Sequence, residues 1–144
     1  MHDEIHATVR DLLRGTRQRY TRGRQELVEL LAGQGRPVTI PELLAAGASQ
    51  AQSSLYRNLA VLEQCGAVRR ISSVDDVARY ELDEGLTEHH HHFVCSSCGR
   101  IDDVTLSESV EASLAKAASR AGDDHGYEVG THRLELVGTC PDCT

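Results

Sequence analysis

The stretch QAQSSLYRNLAVLEQCG (residues 50–66) runs directly into AVRRI (67–71), SSVDD (72–76) and VARYEL (77–82). In the first piece Leu55, Leu59, Leu62 and Cys65 recur every three or four residues, the spacing of a helix face turned toward a core, and Gly66 supplies the stop. On that stripe Cys65 reads as a small buried apolar residue and not as a ligand. The next two runs read as strands joined by a turn. Helices followed by a two-stranded hairpin make a winged helix-turn-helix, a common DNA-binding arrangement.

Working outward toward the N-terminus, Thr21 is placed to cap RGRQELVELLAG (22–33), where Leu27, Val28, Leu30 and Leu31 form an apolar stripe before a stop at Gly33. Thr39 and Glu42 have the spacing of a capping box opening the short helix PELLAA (41–46), and Ser49 and Gln52 repeat that spacing before the third helix. Toward the C-terminus, DEGLTE (83–88) reads as a linker. Beyond it come a strand at HHHHFVC (89–95), a helix from Ser107 to Ala121, and strands near YEV (127–129) and HRLELVG (132–138). The expectation is an α+β chain: a winged helix-turn-helix over 1–82, a hinge over 83–88 and a small α/β unit over 89–144.

Composition narrows the function. The chain has 144 residues, 26% charged and 40% hydrophobic, as a globular protein should. No apolar run approaches the ~20 residues that span a bilayer. The opening MHDEIHATVRDLL carries acid and no apolar signal core, so the expected location is the cytoplasm, with no membrane partner. Disulfides are kept reduced there, and paired cysteines are then metal ligands or a redox centre. The net charge of −7 divides unevenly, about +2 over residues 1–80 and −9 over 81–144. Six arginines fall between Arg10 and Arg24 with only Asp11 against them, a stripe able to hold phosphates or to serve as a solvated helix face.

Residues 88–99 read EHHHHFVCSSCG. A purification tag would sit at a terminus, and this run is internal. Cys95 and Cys98 form one Cys-x-x-Cys, and Cys140 and Cys143 form a second after 41 intervening residues. Two such pairs supply four thiolates for a tetrahedral structural Zn²⁺. A unit this small buries a modest core and gains from a staple between its first strand and its C-terminal end. A redox dithiol would not need the second matched pair. The zinc-deaminase signature fails too: Thr139 and Val94, not proline, precede the pairs, and the only His-x-Glu is His2-Asp3-Glu4.

If the histidines lie on a strand, His89 and His91 share one face while His90 and His92 share the other. They would feed two separate sites, each needing ligands from elsewhere. Glu111 and His132 are candidates in the second half, with Glu81 and Asp83 on the linker side. The plainer alternative is a solvated histidine-rich strand with adventitious metal affinity.

These residues resemble the ferric uptake regulator (Fur) family of dimeric, metal-sensing DNA-binding repressors. RYTRGRQELVELL (19–31) resembles the family's N-terminal helix entry, SSLYRNLAVLEQCGAV (53–68) its recognition helix, and HHHHFVCSSCGRIDDV (89–104) its most specific signature; HGYEVGTHRLELVGTCPDC (125–143) is similar to its C-terminal part. The resemblance implies that residues 89–144 form a dimerisation domain, with Cys95, Cys98, Cys140 and Cys143 around structural Zn²⁺. It implies that His89, His91, Glu111 and His132 form a site inside that domain. His90, His92 and Glu81 would form a regulatory hinge site for Zn²⁺ or Fe²⁺, its fourth ligand open, with Asp83 and Glu84 the further candidates. It also places Tyr56 and Arg57 in the major groove of DNA, with Arg19 and Arg24 on phosphates or the minor groove.

Two departures bear on the metal. Many iron- and peroxide-sensing members carry a histidine between the second and third helices, where this chain has GQGRPVT (33–39). Some zinc sensors carry a cysteine near the end of the wing, where this chain has Asp83. The expected protein is thus a homodimeric repressor of metal-uptake genes on a palindromic operator, zinc-responsive in the manner of the Zur branch. Iron-, other divalent-metal- or peroxide-responsiveness within the same family is the alternative. A metalloenzyme and a metal-storage protein are the rival classes: the first lacks a nucleophile, and the second leaves the arginine-rich half unexplained.

Overall fold

A computed structural model describes residues 2–144. Ten elements follow in order: α1 (His2–Gly15), α2 (Arg22–Gln34), α3 (Ile40–Ala45), α4 (Gln52–Gln64), β1 (Val68–Ser72), β2 (Ala78–Leu82), β3 (His91–Cys95), β4 (Ile101–Val104), α5 (Glu108–His125) and β5 (Glu135–Gly138). The architecture is α+β, four helices and a hairpin followed by a small sheet with one helix. No described helix is long and apolar enough to cross a membrane.

Three helices cluster over a hairpin because their apolar stripes meet. Leu27, Val28 and Leu31 of α2, Leu43 of α3, and Leu55, Leu59 and Leu62 of α4 are buried together with Val68 of β1 and Tyr80 and Leu82 of β2. Cys65 joins them as the apolar residue its spacing implied, its Sγ against the Leu62 carbonyl. Helix α1 was not foreseen. It adds Val9 and Leu13 to this core and is pinned to its neighbours by His6, which is hydrogen-bonded to the Tyr20 hydroxyl and lies 3.2 Å from Glu29 Oε1. Ile5, Val9, Leu12 and Leu13 recur along it every three or four residues, so its apolar face is legible in the sequence.

The caps are partly as expected. Thr21 accepts from the Arg24 amide at the start of α2, and Thr39 and Glu42 make a reciprocal capping box on α3. Helix α2 passes through Gly33 and ends at Gly35, the residue that takes the left-handed φ of 66°. The expected cap at Ser49 is corrected: α4 begins after Ala51 with no side-chain cap. Ser49 instead donates its amide to Glu26 Oε1 at 3.0 Å, bracing α4's approach against α2. Gln50 extends this brace, donating to the Gly23 carbonyl and accepting from Asn58, both at 2.7 Å.

Strands β1 and β2 pair antiparallel, with Arg69 opposite Glu81. Val38 bridges to Tyr80, tying the loop before α3 to the hairpin. In the second sheet the order is β4-β3-β5, β3 antiparallel to β4 and parallel to β5. Strand β4 was missed by pattern reading. The strand expected near residues 127–129 does not form, and β3 starts at His91, leaving His89 and His90 just ahead of it. Helix α5 runs to His125, four residues past the expected end. It buries only Gly122 of its own residues, and Phe93, Val110, Tyr127, Val129, Leu136 and Val137 stay exposed around it and the sheet.

Candidate metal centres

Among the described residues three groups of side chains converge as metal ligands do. In each group the donor atoms all lie within 4.8 Å of one another.

The parallel pairing of β3 with β5 sets Cys95 opposite Gly138, which delivers Cys140 and then Cys143 beside the Cys95–Cys98 turn. Cys98 and Cys140 Sγ atoms are 3.8 Å apart. A tetrahedron built on ~2.3 Å zinc–sulfur bonds has edges of ~3.8 Å, so this spacing fits the ion. Backbone amides reinforce it: those of Cys98 and Cys140 point at Cys95 Sγ from 3.5 and 3.3 Å. These two N–H groups, Cys98 first, hold the Cys95 thiol down at about 6. The contact with Cys140 pushes Cys143 up to about 12, since crowded sulfurs cannot all ionise without a cation among them.

The second group joins the hairpin to the sheet. Glu81 projects from β2, His92 from β3, His90 from just before it, and Asp103 from β4. Glu81 Oε1 lies 2.9 Å from His92 Nε2 and its Oε2 3.0 Å from His90 Nε2. Asp103 Oδ1 lies 3.5 Å from His92 Nε2 and 3.6 Å from His90 Nε2. Burial opposes ionisation of Glu81, but the two imidazoles outweigh it and hold its carboxyl low. Burial, followed by the Glu81 charge, pushes Asp103 up to about 6. Two imidazole nitrogens and two carboxylates make a donor set that suits a first-row divalent cation. Asp103 was not foreseen as a ligand, because the strand carrying it was not. Asp83 takes no part and accepts from the Gly85 amide instead.

The third group lies on the other histidine face, as alternation along the chain implied. His91 Nε2 is 2.6 Å from Glu111 Oε1, and His132 Nε2 is 3.0 Å from Glu111 Oε2. His89 Nε2 is 3.3 Å from both Glu111 Oε2 and His132 Nε2. Burial works against the Glu111 charge, and hydrogen bonds from His91 and His132 overcome it. Glu84 extends the group outward, its Oε2 3.0 Å from His89 Nδ1. His132 precedes β5 and Glu111 sits in the first turn of α5, so the group ties helix, sheet and linker together.

On the helical half, Tyr56 and Arg57 lie on the outer face of α4, and Arg19 is exposed. Arg24 is half-buried: its guanidinium donates to Asn58 Oδ1 at 3.2 Å and to the Arg19 carbonyl at 2.6 Å. That geometry makes it a brace between α2 and α4.

The profile of the ferric uptake regulator family matches residues 15–137. The chain is 36% identical over 101 residues to the ferric uptake regulation protein of Neisseria meningitidis, covering 70% of this chain and 65% of that protein. The matched stretch thus spans just under two thirds of that relative's length. It is 30% identical over 151 residues to the ferric uptake regulation protein of Campylobacter jejuni, covering 99% of this chain and 90% of the other. Among solved structures, the Helicobacter pylori ferric uptake regulator, described as having three functional metal-binding sites, superposes with a TM-score of 0.75 over 99% of this chain and 93% of its own at 20% identity. At that identity the likeness speaks for the fold.

Proposed function

The chain belongs to the ferric uptake regulator family, and on that premise we propose that it is a homodimeric, metal-dependent transcriptional repressor of metal-uptake genes that responds to zinc. The observation that carries this reading is the reach of Glu81. It stands on the hairpin beside the recognition helix, while His90, His92 and Asp103 belong to the sheet, and all four converge on one point. Glu81, His90, His92 and Asp103 would hold a divalent cation there, which would supply a tie between the two halves of the protomer.

The residues of the chain do the rest. His90 and His92 hold Glu81 over the sheet, which fixes the direction in which β2 leaves it. Strand β2 pairs with β1, and β1 follows α4, so the orientation of α4 follows that of Glu81. In a two-fold dimer, the separation of the two α4 helices must match successive major grooves on a palindromic operator. Arg57 is then placed to donate to guanine, and the Tyr56 ring to pack on a thymine methyl. Arg19 lies ahead of α2 where a phosphate contact is available. The DNA-competent arrangement must hold the cation better than the open one, and by linkage DNA must tighten the cation equally.

The domain division proposed with this reading is a winged helix-turn-helix over 1–82, a hinge over 83–88 and a dimerisation domain over 89–144. The third cluster, His89, His91, Glu111 and His132, is proposed as a site internal to the last of these. Iron is the second reading for the hinge, favoured by one specific observation: Asp103 adds a second carboxylate to the donor set.

The test combines His90→Ala with His92→Ala and titrates a labelled palindromic duplex, with zinc or anaerobic iron added. The double variant should remain a dimer, keep its cysteine-bound zinc and lose metal-stimulated binding. Full metal response in that variant would falsify the hinge assignment. Unstimulated binding by the unaltered protein with both metals would overturn the regulatory reading itself.

A further inference from the structure

The tip of the β1–β2 hairpin touches the sheet at a second place, away from the hinge cluster. Ser73 Oγ donates to the Gly99 carbonyl at 2.7 Å. The Asp75 carboxylate lies flat against the Gly99 Cα: a Cβ at residue 99 would meet Asp75 Cγ and Oδ2 at 2.6 Å and Oδ1 at 2.9 Å. Gly99 also takes a φ of 81°, so the position demands glycine twice, once for its own conformation and once for what approaches it.

Asp75 is held in that posture from behind. Arg79 is only 6% exposed, and its Nη1 and Nη2 donate to the two Asp75 oxygens at 2.9 and 3.0 Å. The Val77 amide donates to Asp75 Oδ1 at 3.1 Å. A two-pronged arginine–carboxylate pair fixes geometry as well as charge, which leaves Asp75 little freedom to swing away from Gly99. Gly99 closes the Cys95–Cys98 turn, donating its amide to the Cys95 carbonyl at 3.0 Å. The hairpin tip therefore rests on the turn that carries two of the four cysteines.

We propose that Ser73 and Asp75, with Arg79 behind them, are positioning residues that dock the wing on the Cys95–Gly99 turn, making the four-cysteine cluster a second anchor for the DNA-binding half. The inference rests on the proposed regulatory reading only for its consequence at the operator. The wing is held at two points, Glu81 near its base and Ser73 and Asp75 at its tip. Two points fix an angle that one point leaves free to pivot. An intact cysteine cluster thereby becomes a condition for DNA binding even when the hinge site is filled.

The experiment compares Ser73→Ala, Ser73→Thr and Gly99→Ala in the full-length, zinc-replete dimer. Amide hydrogen exchange is followed over residues 72–80, alongside chelator-resistant zinc per chain and operator affinity at saturating hinge metal. Losing one hydrogen bond of ordinary net strength should speed exchange in the wing tip by roughly three- to tenfold in Ser73→Ala. Ser73→Thr, which keeps the hydroxyl, should restore slow exchange, and Gly99→Ala should exceed Ser73→Ala. Operator affinity should fall in the same order with zinc content unchanged. Ser73 is outside the four-cysteine group and its substitution leaves the Cys95–Gly99 backbone unaltered, so its variant stays informative if Gly99→Ala loses zinc. Unchanged exchange over 72–80 in Ser73→Ala overturns the docking. Faster exchange without weaker operator binding overturns the second-anchor role. A protein that binds no operator in any form, yet shows the exchange effect, counts against the regulatory reading and leaves the docking standing.

Discussion

Asp103 stands directly across the β3–β4 ladder from His92, its Oδ1 3.5 Å from the His92 Nε2. This cross-strand pair turns a three-residue hinge set into a four-residue one. It also brings a second carboxyl next to Glu81, and burial with that charge raises Asp103 to about 6. A ligand must lose its proton to bind a cation, so protons and metal compete at Asp103. Hinge-metal affinity should fall as pH drops, first as His90 takes a proton and further through about 6 as Asp103 does. Burial works against a charge on His90, but the Glu88 carbonyl and the Glu81 carboxylate outweigh it and hold the imidazole above its ordinary 6.5. Asp103→Asn should weaken the metal by at least roughly 10–100-fold, the loss seen even for outer-shell partners. It should also flatten this part of the pH profile. Isothermal titration with zinc between pH 5.5 and 7.5, in protein with its cysteine site filled, measures both. An unchanged affinity in Asp103→Asn would remove Asp103 from the site.

Arg69 is the cross-strand partner of Glu81, and its Nη1 is 3.8 Å from Glu81 Oε1 with the side chain 17% exposed. Its fixed charge faces the same carboxylate that a divalent cation must use. Two cations drawn to one carboxylate repel each other, and partial burial keeps solvent from screening that fully. Arg69→Gln should therefore tighten hinge metal by roughly two- to tenfold and lower the metal concentration at which operator binding is half-stimulated. A competition titration against a chromophoric chelator reads the change directly. Weaker metal binding in the variant would show that Arg69 serves to orient Glu81 instead.

The sequence discloses the elements whose signals are local and strong. Thr21, Thr39 and Glu42 announce two helix starts through capping chemistry, and the leucines of α4 announce its buried face. The four cysteines disclose their own cluster, since two matched pairs on a small unit have one economical arrangement. Histidine alternation separates the two remaining clusters even though only His91 and His92 lie within β3. What stays hidden depends on contacts far apart in the chain. Strand β4 is four residues, IDDV, too short and polar to read as a strand until it pairs with β3, and Asp103 is hidden with it. Ser49 has the spacing of a cap, but Glu26 from α2 claims its amide. The stop of α2 is ambiguous between Gly33 and Gly35, and only the backbone decides.

The capping box at α3 yields a stability prediction. Burial raises the Glu42 carboxyl, but hydrogen bonds from Arg36 and from the Thr39 backbone and side chain more than offset this and leave it below its ordinary 4.5. A depressed folded value means the stabilisation is present above the unfolded value and is lost as pH falls through the folded one. Glu42→Gln should therefore show a shallower loss of stability below about pH 4.5 than the unaltered protein. Thr39→Ala removes the other half of the box and should cost about 1 kcal/mol at neutral pH. Urea unfolding followed by circular dichroism tests both, and parallel acid profiles for Glu42→Gln and the unaltered chain would contradict the assignment.

Helix α5 and strand β5 leave an apolar face that a single chain does not cover. Val137 is 66% exposed, Phe93 48% and Tyr127 75%, all on or beside a sheet in which β5 is an edge strand. An open edge carrying apolar side chains invites pairing with another chain. Two-fold symmetry meets that need economically, because each copy presents the same patch to the other. A charge placed at the centre of such a patch must be buried unpaired on association. Val137→Asp should thus raise the dimer dissociation constant by at least about tenfold, since 1.4 kcal/mol is a factor of ten and an unpaired buried charge costs more. The cysteine cluster lies within one chain, so chelator-resistant zinc should remain. Sedimentation velocity across a dilution series, with zinc counted on the same samples, separates the two effects. Operator affinity should fall with the dimer, as each protomer would then present a single α4. A Val137→Asp protein that sediments as an unaltered dimer would place the interface on another face.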